Sequence, residues 1–279
     1  MTGELTERLT GIISGAEGEI PLTEAALLVA SHRYPDLDIR HYLDVINEFG
    51  ESVSARIATD SGPVEKVAAL NHYLFDELGF APNAEDYYDP RNSLLNEVME
   101  RRTGIPITLS LIYMAVGSRL GLTLKGVCYP GHFLVKCRLP EGMIVLDPFF
   151  RGQSLAITDL QRMLRETRGG EVSRAIVAGL LVAASKRQIL LRMLRNLKGI
   201  YLHNRELDNA LKIMNWIVAA DPRQAVEVRD RGVVYQELEC FRAAASDFER
   251  YLELAPACTD GESIRQRLLQ LRRSVSLLN

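Results

Sequence analysis

One run of residues constrains this chain more than any other: Pro106 to Gly121, PITLSLIYMAVGSRLG. Proline costs nothing at the first helical position, because first-turn N–H groups have no helical partner. From Ile107 to Leu120 apolar side chains fall on nearly every side of the helix, including Leu109, Ile112, Tyr113, Met114 and Val116. A helix apolar all round must be buried all round. Gly121 stands where a left-handed stop is expected. The sequence therefore predicts a central helix enclosed by the rest of a domain.

A small sheet follows. Leu124 to Tyr129 is β-prone, Pro130-Gly131 is a turn, and His132 to Cys137 alternates with Phe133, Val135 and Cys137 on one face. Leu139 to Gly142 is a turn cluster, and Met143 to Leu146 returns. His132 opens this hairpin and Asp147 closes it. A loop of two or four residues sets Leu134 opposite Asp147. It then leaves His132 and Asp147 as diagonal neighbours on one face, roughly 7–8 Å apart at Cα. A three-residue loop would put them on opposite faces; the even loop is the expectation. A histidine oriented by a carboxylate is part of a nucleophilic triad. Its third member belongs at the N-terminus of the preceding helix, where the dipole lowers a thiol's pKa.

That order, a nucleophile at a helix start, then histidine, then aspartate on successive strands, resembles the transglutaminase-like branch of the papain-type fold. Aligned on Arg119-Leu-Gly-Leu122, the family's nucleophilic cysteine falls on Pro106. The resemblance carries over His132 and Asp147, and not the attacking group. The stretches NSLLNEVMERRTGIPITLSLIY, GVCYPGHFLVKC and LDPFFRG are similar to the SirB / YchA family of bacterial proteins. So are PDLDIRHYLDVINEF, LNHYLFDELGF and DYYDPRNS upstream, and RQILLRMLRNLKGIY and RDRGVVY downstream. That family joins a transglutaminase-like core to tetratricopeptide-type repeats. The implied fold is α+β and mainly helical, with a small antiparallel sheet on a buried central helix over residues 1–185. Helical repeats occupy 186–279.

The repeats are also readable directly. Tyr201 and Tyr235, Ala210 and Ala244, Met214 and Phe248, and Pro222 and Pro256 each stand 34 residues apart, the tetratricopeptide period. Gly232 fits the same pattern. Two repeats fall short of the usual three, so they are expected to lean on the core and on a terminal helix, Ile264 to Leu278. Concave repeat surfaces bind peptides or proteins; a packing extension without a ligand is the plainer reading.

Ahead of the central helix, Leu22 to Ser31, His41 to Phe49 and Val64 to Leu78 read as helices, with Thr23 as a cap for the first. Asn96, Glu97 and Arg101 either line a groove at the start of the central helix or form Glu–Arg pairs bracing the turn. Thr108 and Ser110 could replace the missing thiol, though hydroxyls at helix starts are usually caps. Cys128 and Tyr129 lie beside the candidate site, Cys128 being either reactive or a core thiol. The loop Pro82 to Pro90 carries Glu85, Asp86 and Asp89, weak as a metal motif. Its two tyrosines are expected to pack on the core. His32, His41 and His72 read as surface or satisfied histidines.

Composition narrows the function classes. With 47% apolar and 25% charged residues and a net charge of −3, nothing points to nucleic acid or membrane. No apolar run reaches the roughly 18 residues of a membrane helix, and no signal peptide is expected. Cys128, Cys137, Cys240 and Cys258 lack metal-ligand spacing and read as reduced thiols of a cytoplasmic protein. No metal and no cofactor are expected. Two functions compete: a non-catalytic scaffold binding a protein or peptide, and a hydrolase or acyl-transferase using His132 as base.

Overall fold

The computed structural model describes residues 2–83 and 85–277, with side chains over 5–83 and 85–273. Ala84, in the Pro82–Pro90 loop, and Leu278, at the end of the expected terminal helix, lie outside them. The chain divides into two compact units, residues 15–193, and residues up to 14 together with those from 194 onward. The sequence reading placed the boundary at 185/186.

Helix α1 (Thr2–Ser14) opens the chain and groups with the C-terminal residues, where Trp216 Nε1 donates to Thr6 Oγ1 at 3.1 Å. In the first unit, α2 (Leu22–Ala30) starts without a side-chain cap, so Thr23 does not take the expected role. Helix α3 (Ile39–Ser54) starts earlier than its apolar pattern, because Asp38 caps it by accepting from the His41 N–H at 3.1 Å. Helix α4 (Pro63–Asn71) widens into a π-helical turn over His72–Glu77, where the sequence reads one continuous helix. Strand β1 (Ala81–Pro82) pairs in parallel with β2 (Thr103–Gly104), and α5 (Leu95–Arg101) lies between them in sequence.

Helix α6 (Pro106–Arg119) is the enclosed element expected: every residue from Pro106 to Met114 is buried. Helices α2 to α5 and two strands of the sheet pack around it. The chain leaves it through Leu120 and through Gly121 at φ +72°. The sheet is antiparallel, in the order β3 (Leu124–Val127), β4 (Leu134–Leu139), β5 (Gly142–Asp147), β6 (Gln153–Ser154). Leu139 pairs with Gly142 and Val135 with Leu146. The hairpin loop is thus the two residues Pro140-Glu141, an even loop, and the same register sets Leu134 opposite Asp147.

The sheet has apolar cover on both faces. Toward α6, a side chain at Gly117 would meet Leu70 and Leu124. On the other face Val127, Tyr129, Leu134 and Val145 pack with Leu160, Leu164 and Val177. These last three come from α7 (Ile157–Arg168) and α8 (Arg174–Leu180). Leu134 is fully buried beside Phe133 and Val135, so the single apolar face read from the alternation understates the sheet.

Helix α9 (Lys186–His203) runs across the boundary residue and leads into α10 (Leu207–Ala220), α11 (Ala225–Glu237), α12 (Phe241–Leu254) and α13 (Gly261–Leu277). In the second unit Ala210, Ala244, Met214 and Phe248 are all buried, as their spacing requires. Arg205 and Glu239, also one period apart, both adopt φ +58° in the turn between the two helices of a repeat. Tyr201 is fully buried whereas Tyr235 is only partly so. The helices approach closely at Gly232, where a Cβ would stand 2.8 Å from Phe248 Cε1 and 3.1 Å from Asp247 Cβ. Beside it, Arg231 grips Asp247 through Nε and Nη2 at 2.8 and 2.7 Å.

Candidate functional site

The turn before β4 sets the site. Tyr129-Pro130-Gly131-His132 closes with the His132 N–H donating to the Tyr129 carbonyl at 3.1 Å, and Gly131 has φ +70°. Proline second and a left-handed glycine third is the requirement of a type II turn. His132 therefore ends this turn, two residues before the strand it was expected to open. Its carbonyl accepts from Arg192 Nη2 at 2.8 Å, which ties the turn to the start of α9.

His132 Nε2 lies 2.8 Å from Asp147 Oδ2. The imidazole side chain is 12% exposed and the carboxylate 1%. Asp147 Oδ1 accepts the Phe149 N–H at 3.0 Å, so both carboxylate oxygens are engaged. Phe149 meets the imidazole edge-on with centroids 5.7 Å apart, and Phe150 stacks at 6.2 Å while remaining largely exposed. With Nε2 committed to the carboxylate, Nδ1 is the nitrogen available to take or give a proton. The pair has the arrangement of a base and its orienting acid.

The start of α6 holds no nucleophilic side chain. Pro106 is the first helical residue and is buried. Thr108 Oγ1 accepts the Ile105 N–H at 3.1 Å and lies 2.8 Å from the Asn92 carbonyl. Its hydroxyl is a cap, as the plainer reading expects. Ser110 Oγ is buried without a hydrogen-bond partner, so it does not reach the imidazole.

The remaining sequence candidates separate. Tyr129 does not open to a groove: it is fully buried and donates to the Leu160 carbonyl at 2.7 Å. Burial also pushes its phenol pKa up. Cys128 is partly exposed, and all four cysteines are free thiols.

Arg101 lies 3.4 Å from Asp89, which is held chiefly by Arg91 at 2.8 Å. Burial alone would raise the Asp89 pKa. Hydrogen bonds from the Arg91 side chain and N–H, with both arginine charges, hold it below the usual carboxylate value.

The expected Glu–Arg bracing is absent at Glu97 and Glu100, whose partners are tyrosines: Tyr34 Oη donates to Glu97 at 2.6 Å, and Tyr42 Oη to Glu100. Arg102, left-handed at φ +58°, lays its guanidinium over Phe49 and Phe80 at 5.1 and 4.9 Å.

Tyr87 and Tyr88 are nearly half exposed and pack on each other edge-on at 5.6 Å, not on the core as expected. With Asp89 turned inward, Glu85, Asp86 and Asp89 do not converge. No group of three or more metal-ligating side chains occurs among the described residues. No helix among them is long and apolar enough to cross a membrane.

Sequence reasoning missed Asn71. Its Oδ1 accepts from Tyr113 Oη at 2.8 Å and its Nδ2 donates to the Gly152 carbonyl at 3.1 Å. The link joins α4 and α6 to the turn just after Asp147. A lone asparagine inside an apolar helical stripe was the available signal.

Residues 40–195 match the family described as Transglutaminase-like superfamily, and residues 197–269 match Tetratricopeptide repeat. A UPF0162 protein of Xylella fastidiosa strain 9a5c is 41% identical over 90% of both chains. UPF0162 protein YchA of Escherichia coli strain K12 is 24% identical, over 89% of this chain and 91% of its own length. F-box only protein 21 of Homo sapiens is 33% identical over 140 residues, 47% of this chain and 21% of its own. No solved structure matches.

Proposed function

Because the chain belongs to the transglutaminase-like superfamily and to the UPF0162 proteins that include YchA, we propose that it is a non-catalytic, cytoplasmic scaffold that binds a protein or peptide. One observation carries this reading: the helix start that faces the chemistry in this superfamily begins with buried Pro106. A proline ring offers neither thiolate nor hydroxyl, so no acyl intermediate can form there. The tetratricopeptide repeats supply the binding surface, since such helices present concave faces to peptides. The four free thiols suit a reducing compartment.

A second reading is favoured by the His132–Asp147 pair itself, held at 2.8 Å with the carboxylate fully buried. In that reading the protein is a hydrolase or acyl-transferase whose imidazole activates water or an unusual nucleophile.

Pro106→Cys separates the two. In the scaffold reading, the wild-type protein turns over no amide or ester. The variant gains a thiol that reacts with chloroacetamide far faster than any native cysteine, and His132→Ala abolishes that gain. Peptides selected on the wild-type protein by display bind His132→Ala equally well. Turnover by the wild-type protein that is lost in His132→Ala would establish the enzyme instead.

A further inference from the structure

Helix α1 packs on α10, the second helix of the first repeat. Leu9 and Ile13, four residues apart and so on one face of α1, are fully buried. On α10, Trp216 is buried, and so is Ile213, one helical turn before it. Trp216 is the only tryptophan of the chain, and its Nε1 donates to Thr6 Oγ1 at 3.1 Å. The Trp216 face of α10 is thus an apolar docking surface whose present occupant is a helix of the same chain.

That occupant is poorly made for its place. Thr10 Oγ1 is buried with no hydrogen-bond partner among the described residues. It does not even return to a carbonyl of the preceding turn, the usual recourse of a helical hydroxyl, and an unpaired buried hydroxyl opposes docking. Gly11 stands inside the helix, yet a Cβ there would meet nothing within 4 Å. It weakens the helix with no packing reason. Thr6, Thr10, Ile12 and Ile13 are β-branched and add little helix propensity, and a helix of 13 residues is marginal by itself. The root of α1 is held firmly by contrast. The Gly15 carbonyl accepts from Arg187 Nη2 at 2.8 Å, and Lys186 Nζ donates to the Gly18 and Ile20 carbonyls at 3.2 and 2.8 Å. A weak helix on a fixed root is a tethered ligand.

We propose that α1 is an exchangeable occupant of the Trp216 face, and that the partner replacing it is an amphipathic helix of another protein. The chemistry of the face defines that helix. It carries two aliphatic side chains four residues apart, as at Leu9 and Ile13, and an acceptor three residues before the first, as at Thr6, to take the indole N–H. An apolar residue in the place of Thr10 and a strong helix former in the place of Gly11 make it a better fit than α1. While α1 is seated, the partner competes with a rival at high effective concentration. The proposal rests on the scaffold reading and names the site and the kind of partner. Turnover by the wild-type protein would overturn that reading without moving Trp216, whereas a silent Trp216 overturns this proposal alone.

Tryptophan emission tests it directly. The probe is a synthetic peptide of residues 2–14 carrying Thr10→Ala and Gly11→Ala, titrated into the full chain. The expected result is a saturable change in Trp216 emission. The same peptide with Leu9→Ser and Ile13→Ser added should bind at least about tenfold more weakly. Hydrogen exchange on the full chain is the second measurement. Amides of α1 are expected to exchange through an opening that leaves α10 protected. Gly11→Ala in the full chain meets no neighbour, and it should slow that exchange about four- to fivefold and weaken peptide binding by a similar factor. The proposal is overturned if Trp216 emission does not move, if the doubly serine-substituted peptide binds equally well, or if α1 exchanges only together with α10. It is also overturned if light scattering shows that chains pair by trading α1, which would assign the face to a second copy.

Discussion

His132 Nε2 and Asp147 Oδ2 stand 2.8 Å apart, and the other oxygen of that carboxylate receives the Phe149 N–H. One buried side chain therefore fixes both the imidazole and the chain that turns away after β5. Asp147→Ala leaves two partners unpaired and is expected to destabilise the fold by about 1–3 kcal/mol, read as a lower denaturation midpoint. Asp147→Asn keeps the shape but can offer an amide donor to Nε2. The neutral imidazole should then carry its proton on Nδ1 instead of Nε2, a change visible in ¹⁵N spectra.

Thiol reactivity should follow burial. Cys240 is exposed, and Cys137 is fully buried with its pKa raised by that burial. Iodoacetamide under native conditions is expected to label Cys240 readily and to leave Cys137 unmodified until denaturant is added. Peptide mass spectrometry reads the order, and early labelling of Cys137 would contradict the packing of β4 against α6.

Gly232→Ala tests the repeat crossing. A methyl there meets Phe248 Cε1 at 2.8 Å, and Phe248 has no room to yield because it is fully buried. Overpacking of this kind costs about 1–3 kcal/mol. Gly199→Ala, where the added carbon meets nothing within 4 Å, is the control and should leave the melting temperature unchanged or slightly raised.

The Arg231–Asp247 pair is expected to behave as a buried ion pair. Asp247 is 4% exposed and both arms of the guanidinium fork engage it. Arg231→Ala should cost about 3–5 kcal/mol by leaving a buried carboxylate alone. A double substitution to Arg231→Met and Asp247→Leu should recover much of that loss in urea unfolding. Arg231→Lys should not rescue, because an ammonium cannot reproduce the fork.

Alkali should loosen the first unit. The Tyr34 pKa is raised from 10.0 to about 12, by burial first and then by its bond to Glu97, and that of Tyr42 is raised further for the same kinds of reason. A proton held more tightly when folded contributes stability that is complete below the unfolded pKa and is lost as pH rises through the folded one. Unfolding midpoints should therefore fall between pH 10 and about 12. Tyr34→Phe should flatten that fall, while lowering stability at neutral pH.

How much of this was legible in the sequence depended on the range of the physical signal. The central helix, the hairpin loop and the 34-residue period announce themselves through local patterns: apolar residues all round α6, a Pro-Glu loop in a turn cluster, Ala210 answering Ala244. The histidine–aspartate pair followed from strand register alone. What escaped was set by distant neighbours. Nothing near Leu134 announces that α7 and α8 cover the second face of the sheet. Glu97 and Glu100 stand beside arginines in sequence, yet each bonds to a tyrosine about sixty residues away. The tyrosines of the Pro82–Pro90 loop look like core residues by type, yet they stay nearly half exposed with their rings edge-on to each other.

Asn71 has a consequence for how this protein can change over generations. Its amide joins Tyr113 to the Gly152 carbonyl, and Gly152, at φ +71°, has room for it only because it lacks a side chain. Losing the amide strands a buried phenol, losing the phenol strands the amide, and any larger residue at 152 collides with the amide. The three positions form one inherited unit, in which single steps are penalised and only compensated changes pass. Along any line of descent, replacements at 71, 113 and 152 should arrive together or not at all.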